Sequence, residues 1–208
     1  MAYTGDHQEK EQCDHCSHPR WQVPNLTVNT TDSDEETSNT LKVPFKRYLH
    51  IPLAPRLEYQ YHSPRRAHTL QSYCRPYYDH PIDRSFDPIN DWWSGSRYKD
   101  LRRQGFFSQP TDIAFAIHYD GVQAINRSSH SVSPVILIMY NLPPTTRYQR
   151  SNILLSHLIP GPDEPKNLSS FLRPLVDELI ELGNGIQVFD SFNRRDFTLK
   201  AYAVIAGG

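Results

Sequence analysis

The chain is poor in the features that would identify it quickly. Three cysteines in 208 residues cannot build a disulfide framework, which removes the small secreted scaffolds and makes a reduced, intracellular setting the expectation. No apolar run approaches the roughly 20 residues that a bilayer-crossing helix needs, and Met1 to Lys10 is polar, without the apolar centre of a signal peptide. There is no glycine-rich phosphate loop and no G-x-S-x-G elbow, so kinase, ATPase and hydrolase readings lack their signatures. Charge of one sign is also missing: 22 basic and 23 acidic residues leave a net charge of −1, which points to no partner. Nine glycines against 17 prolines and a hydrophobic fraction of 38% describe a turn-punctuated chain with a modest core, and no internal repeat.

Charge is distributed unevenly along the chain. Residues 1–40 carry eight acids and two bases, 41–110 carry twelve bases and six acids, and 111–208 carry eight bases and nine acids. Within the first block, 29–40 is polar and acidic, the composition of a solvated, disordered linker. The second block is basic and aromatic, with little periodicity, and reads as irregular or short-helical chain packed on something else. The third block holds most of the aliphatic residues and should contain the core. The organisation expected is therefore an N-terminal element over 1–28, a linker over 29–40, a basic aromatic segment over 41–110 and a folded core over 111–208.

In the last block, Ile113 to Tyr119, Val135 to Tyr140 and Ile153 to Ile159 are short apolar runs stopped by Asp-Gly, Asn-Leu-Pro-Pro and Pro-Gly-Pro, as buried strands are. The period then changes. Phe171, Leu172, Leu175, Val176, Leu179, Ile180 and Leu182 recur at helical spacing, with Ser169 or Ser170 as N-cap, Pro174 in the first turn and Gly183-Asn184-Gly185 as terminator. A short strand over Ile186 to Asp190, a turn over Asn193 to Asp196 and a long strand over Phe197 to Ala206 complete the chain. A meander of three strands, a helix and a strand returning parallel to the first is a mixed α/β, β-β-β-α-β arrangement, the opening half of a ribonuclease-H-like fold.

Four groups of residues could carry chemistry. Asp120, closing the first strand, reads from residue type alone more as a turn with Gly121 than as a carboxylate for Mg²⁺, a hard ion that takes anionic oxygen ligands. Asp190 and Asp196 are possible neighbours, although turn positions make solvated loop acids the simpler reading. Cys13 and Cys16 have the spacing of half a Zn²⁺ site, with His15, His18, Cys74 and His80 as other donors in the chain. Arg65, Arg66, Arg75, Arg84, Arg97, Lys99, Arg102 and Arg103, interleaved with Tyr73, Tyr77, Tyr78, Trp92, Trp93 and Tyr98, suit DNA phosphates and bases, or equally an aromatic core with arginines facing water. His118, on the opposite strand face from its neighbours, should be packed rather than reactive.

Several strings in order resemble the transposases of the CACTA (Enhancer/Suppressor-mutator) type in their fungal form. Cys13 to Trp21 is similar to a C-x-x-C-x-x-x-R-W element. Val43 to Leu57, Pro110 to Val122, Tyr140 to Pro144, Leu158 to Pro162 and Phe171 to Leu179 resemble successive family segments. The resemblance implies a DDE/D catalytic core that binds DNA and Mg²⁺ in the nucleus, cutting and joining DNA strands, with Asp120 as the first carboxylate. It also implies a zinc-binding-like element at Cys13 and Cys16; the residues expected to contact DNA, from the basic block itself, are Arg65, Arg66, Arg97, Lys99, Arg102 and Arg103. The family's second Asp follows the strand that here ends near Gly207, and its last acid comes later. Neither is among the 208 residues, so a truncated, catalytically incomplete fragment is expected. The rival expectation is a non-enzymatic DNA- or protein-binding module of the same origin. His118-Tyr119 also departs from the small polar residues that the family has before this Asp.

Overall fold

A computed structural model describes residues 1–22, 42–82, 88–123, 131–161 and 165–207. The acidic stretch 29–40 and Arg84 lie outside them. In chain order the elements are β1 (Trp21–Gln22), β2 (Val43–Pro44), β3 (Leu49–His50), α1 (Ala54–His62), α2 (Pro64–Ser72), α3 (Arg75–Asp79), α4 (Ser96–Arg103), β4 (Ile113–Tyr119) and β5 (Val122–Gln123). They continue with β6 (Ser131–Met139), α5 (Pro144–Arg147), β7 (Ile153–Pro160), α6 (Leu168–Asn184), β8 (Ile186–Asp190), β9 (Arg195–Leu199) and β10 (Ala201–Gly207).

The main sheet runs β10-β4-β6-β7-β3, with β5 also paired to β6. β4, β6 and β7 form the expected antiparallel meander, and β10 returns parallel to β4, from Ala201 opposite Ile113 to Gly207 opposite His118. The connection from β7 to β10 passes through α6, as a parallel return requires. Leu175 and Leu182 of α6 are buried in a cluster with Ile113, Phe115, Leu137 and Ala201. Each such leucine contributes about 1.5–3 kcal/mol of burial energy.

The middle block builds short helices, and α1, α2 and α3 each have proline in the first turn, where a missing N–H costs little. Ser63 ends α1 in extended conformation and caps α2, its Oγ accepting from the Arg66 amide at 3.4 Å. The core is not confined to the last block, as Leu53, Leu57, Tyr61, Ala67 and Leu70 join the same cluster as the sheet. A second cluster joins Cys74, Tyr78, Trp93, Tyr98 and Phe107 to Ala114 of β4. The aromatic residues of this block are therefore largely internal.

Three local expectations are corrected. The apolar run Phe197 to Ala206 is two strands: β9 pairs with β8 in a hairpin, and beyond Lys200 the chain changes partner to β4, the Lys200 carbonyl accepting from the Ile113 amide at 2.8 Å. Inward-facing side chains continue across this change, so periodicity could not show it. The α6 N-cap is Asn167, whose Oδ1 accepts from the Ser170 amide at 3.1 Å, and this early start places Pro174 inside the helix. His118 is exposed rather than packed, because β4 is buried only over its first four residues.

Candidate functional site

Asp120 follows β4 directly, and the register that sets Gly207 opposite His118 brings the end of β10 beside the end of β4. Asp120 is exposed, and no hydrogen bond or ion pair holds it among the described residues. The other two acids do not join it. Asp190, expected as a solvated loop acid, is 1% exposed. Its carboxylate accepts from the Phe192 and Asn193 amides at 2.9 and 3.2 Å and from the side chains of Gln71 and Asn193, both at 2.7 Å. Burial alone would raise its pKa, but those donors hold it below the ordinary value. It fixes the tip of the β8–β9 hairpin. Asp196 is exposed on β9, opposite Phe189.

Among the described residues, no group of three or more His, Cys, Asp and Glu side chains could hold a metal ion. A two-Mg²⁺ centre needs several carboxylates, and Asp120 supplies one, so these residues do not make that centre. The same test applies to zinc. Cys13 and Cys16 lie in a tight turn in which the Cys13 amide donates to His18 O at 3.0 Å and Ser17 N–H donates to Cys13 O at 2.8 Å. Cys13 is buried and Cys16 exposed. Burial works to raise the Cys13 thiol, but the amides of His15 and Cys16 donate toward its sulfur and hold its pKa below the ordinary value. The turn presents two soft ligands where a closed zinc site needs four. Cys74 sits in the aromatic cluster, its thiol pushed up to about 12 by burial.

The six basic residues expected to contact DNA have different surroundings. Arg102 donates to the Tyr77 and Tyr78 carbonyls at 3.2 and 3.3 Å and lies over the rings of Tyr78 and Tyr98, a structural placement. Arg66 donates to Gln60 at 2.6 Å, and Arg103 pairs with Asp100 at 2.8 Å. Arg65 and Arg97 are exposed, on α2 and α4, and Lys99 is half-buried.

Three buried polar groups were not foreseen. Asp112, just before β4, is 1% exposed; its Oδ2 accepts from the Gln109 amide at 3.1 Å, while Oδ1 has no partner among the described residues. Burial pushes its pKa up to about 6. His157 of β7 is fully buried, its ring stacked against His50 with centroids 4.5 Å apart and against Tyr48 with centroids 5.9 Å apart. Burial and His50 push its pKa down to about 4. Asp91 and Arg147 form a buried ion pair at 2.6 Å. A Thr-Asp pair opening a strand is the one sequence signal for Asp112; the other two groups are made by contacts distant in sequence.

No helix among the described residues is long and apolar enough to cross a membrane. No curated protein and no solved structure matches the chain. A family profile described as "Transposase family tnp2" matches residues 87–206, more than half of the sequence and the whole run from the Asp91 turn through β4, α6 and most of β10. The chain belongs to the transposase family tnp2.

Proposed function

We propose that residues 113–207 are the opening half of a ribonuclease-H-like strand-transfer core of the CACTA type, in its fungal form, acting on DNA in the nucleus. In that reading Asp120 is one Mg²⁺ ligand of a site that cleaves DNA and joins its 3′ ends in the complete enzyme. The observation that carries it is the parallel return of β10 onto β4 through α6, which sets Asp120 beside the end of a second strand. Metal-dependent phosphoryl transfer needs carboxylates gathered at such strand ends, because paired ions must reach both the attacking and the leaving oxygen. With a single acid there among the described residues, the 208-residue chain is expected to be inactive alone. Incubation with supercoiled plasmid and Mg²⁺ tests this: the plasmid should stay intact, and nicking that Asp120→Asn abolishes would overturn the incompleteness.

A DNA-binding role without catalysis is the second reading, favoured by the exposed Arg65 and Arg97. Binding to DNA that weakens with salt would support it. Zinc at Cys13 and Cys16 would require two ligands from outside the described residues.

A further inference from the structure

A pocket of about 330 Å³ with a lining of mixed polarity opens where α2 and α3 meet the β8–β9 tip, lined by His68, Gln71, Arg75, Asp79, Phe192 and Asn193 among others. Its floor is fixed. Gln71 Nε2 donates to Asp190 Oδ2 at 2.7 Å, and Asn193 Nδ2 donates to the Gln71 carbonyl oxygen at 3.0 Å and to Asp190 Oδ2 at 2.7 Å. Its wall is aromatic: the Phe192 ring leans on His68 with centroids 4.7 Å apart and stays 47% exposed. A large, half-exposed apolar ring in the lining of such a pocket is a surface on which a flat ring can stack.

The charges around it are arranged by sign. Arg65 and His68 lie one helical turn apart on α2, Arg75 begins α3, and Arg194 and Arg195 follow Asn193 at the hairpin tip, all exposed. Asp79 is the one carboxylate among the lining residues. The Asp79 carboxylate accepts a hydrogen bond from an exocyclic amine, whereas Arg75 in the same lining and the arginines on the flanking elements attract a phosphate backbone. The pocket therefore suits the base of a nucleotide, and its surroundings suit the flanking phosphates. A duplex keeps its base faces stacked inside, so only an unpaired nucleotide can present a ring to Phe192.

We propose that this pocket receives one unstacked base of single-stranded DNA against Phe192, with Arg75 on an adjacent phosphate. The proposal rests on the reading above that the chain contacts DNA. Fluorescence anisotropy of the whole chain with a labelled mixed-sequence single strand, and with the matching duplex, at two salt concentrations tests both. Phe192→Ala should leave the melting temperature unchanged and weaken single-strand binding by about fivefold or more, the value of one base stacked on an aromatic ring, with duplex binding unaltered. Arg75→Gln should flatten the salt dependence of single-strand binding by about 0.7 in log–log slope, one phosphate contact. Single-strand affinity indifferent to Phe192, or binding of duplex alone, overturns the pocket and leaves the DNA-contact reading standing. Binding of neither form overturns the DNA-contact reading itself.

Discussion

Arg147 and Asp91, distant in sequence, form a two-pronged ion pair, Nη1 to Oδ1 at 2.9 Å and Nη2 to Oδ2 at 2.6 Å, with side chains only 2% and 3% exposed. Tyr73 donates its hydroxyl to the same carboxylate, and Arg147 Nε donates to Leu142 O at 2.8 Å. Trp93 Nε1 and Arg147 Nη2 both donate to Tyr140 O, at 2.8 and 3.1 Å. The pair thus ties the 91–94 turn to the loop after β6, and so ties the aromatic block to the sheet.

Removing one partner should be far worse than removing both. Asp91→Asn leaves an uncompensated buried guanidinium, and a loss of about 3–5 kcal/mol is expected. Arg147→Lys should also destabilise, because an ammonium cannot reproduce the fork. The double replacement Asp91→Leu with Arg147→Met should recover much of the loss. Urea unfolding of the parent, of Asp91→Leu and Arg147→Met alone, and of the two combined measures the coupling; additive losses would show that the pair does not act as a unit.

Asp112 should make stability fall as pH rises. Its folded pKa, about 6, lies above the ordinary 3.8, so between those values the folded chain holds a proton that the unfolded chain has released. The stability present below pH 4 is lost on passing through pH 6, by an amount of about 3 kcal/mol for a shift of this size. Asp112→Asn should therefore be more stable relative to the parent at pH 8 than at pH 4.5 in urea titrations.

His157 should work in the opposite direction over nearly the same range. Its folded pKa of about 4 lies below the ordinary 6.5, so the folded chain resists a proton that the unfolded chain accepts. Stability is full above pH 6.5 and declines towards pH 4, again by about 3 kcal/mol. The two slopes oppose each other in the parent, whose pH profile across this window should be shallow. His157→Gln should expose the fall due to Asp112, and Asp112→Asn the rise due to His157. Parallel profiles for parent and variants would show that neither group titrates as its burial dictates.

The sequence made the meander and α6 legible because their apolar periods are strong and their ends carry turn chemistry, and it placed Asp120 at a strand end by the Asp-Gly that follows. It could not separate β9 from β10, since what divides them at Lys200 is a change of partner rather than of pattern. It could not decide whether Trp93 and Tyr98 stack on bases or on each other, because composition is the same in both cases; the structure packs them 5.1 Å apart. The start of α1 was equally hidden: its Leu53 amide is capped at 2.9 Å by Glu178 of α6, a carboxylate far along the chain.

Pro174 gives a prediction of its own. Inside α6 its nitrogen carries no hydrogen, so the Ser170 carbonyl four residues earlier loses its helical donor. Thr4 supplies the replacement, its hydroxyl donating to Ser170 O, while the Ala2 amide donates to Ser170 Oγ at 2.7 Å. The N-terminal segment is thus seated on the defect that the proline creates. Thr4→Val should cost about 1–2 kcal/mol, because it leaves a largely buried carbonyl unpaired. In a Pro174→Ala background the restored amide fills that position, so the same change should cost nearly nothing. Unfolding free energies of the four chains give the coupling directly, and an equal cost of Thr4→Val in both backgrounds would mean that Thr4 holds the N-terminus for some reason other than the missing amide.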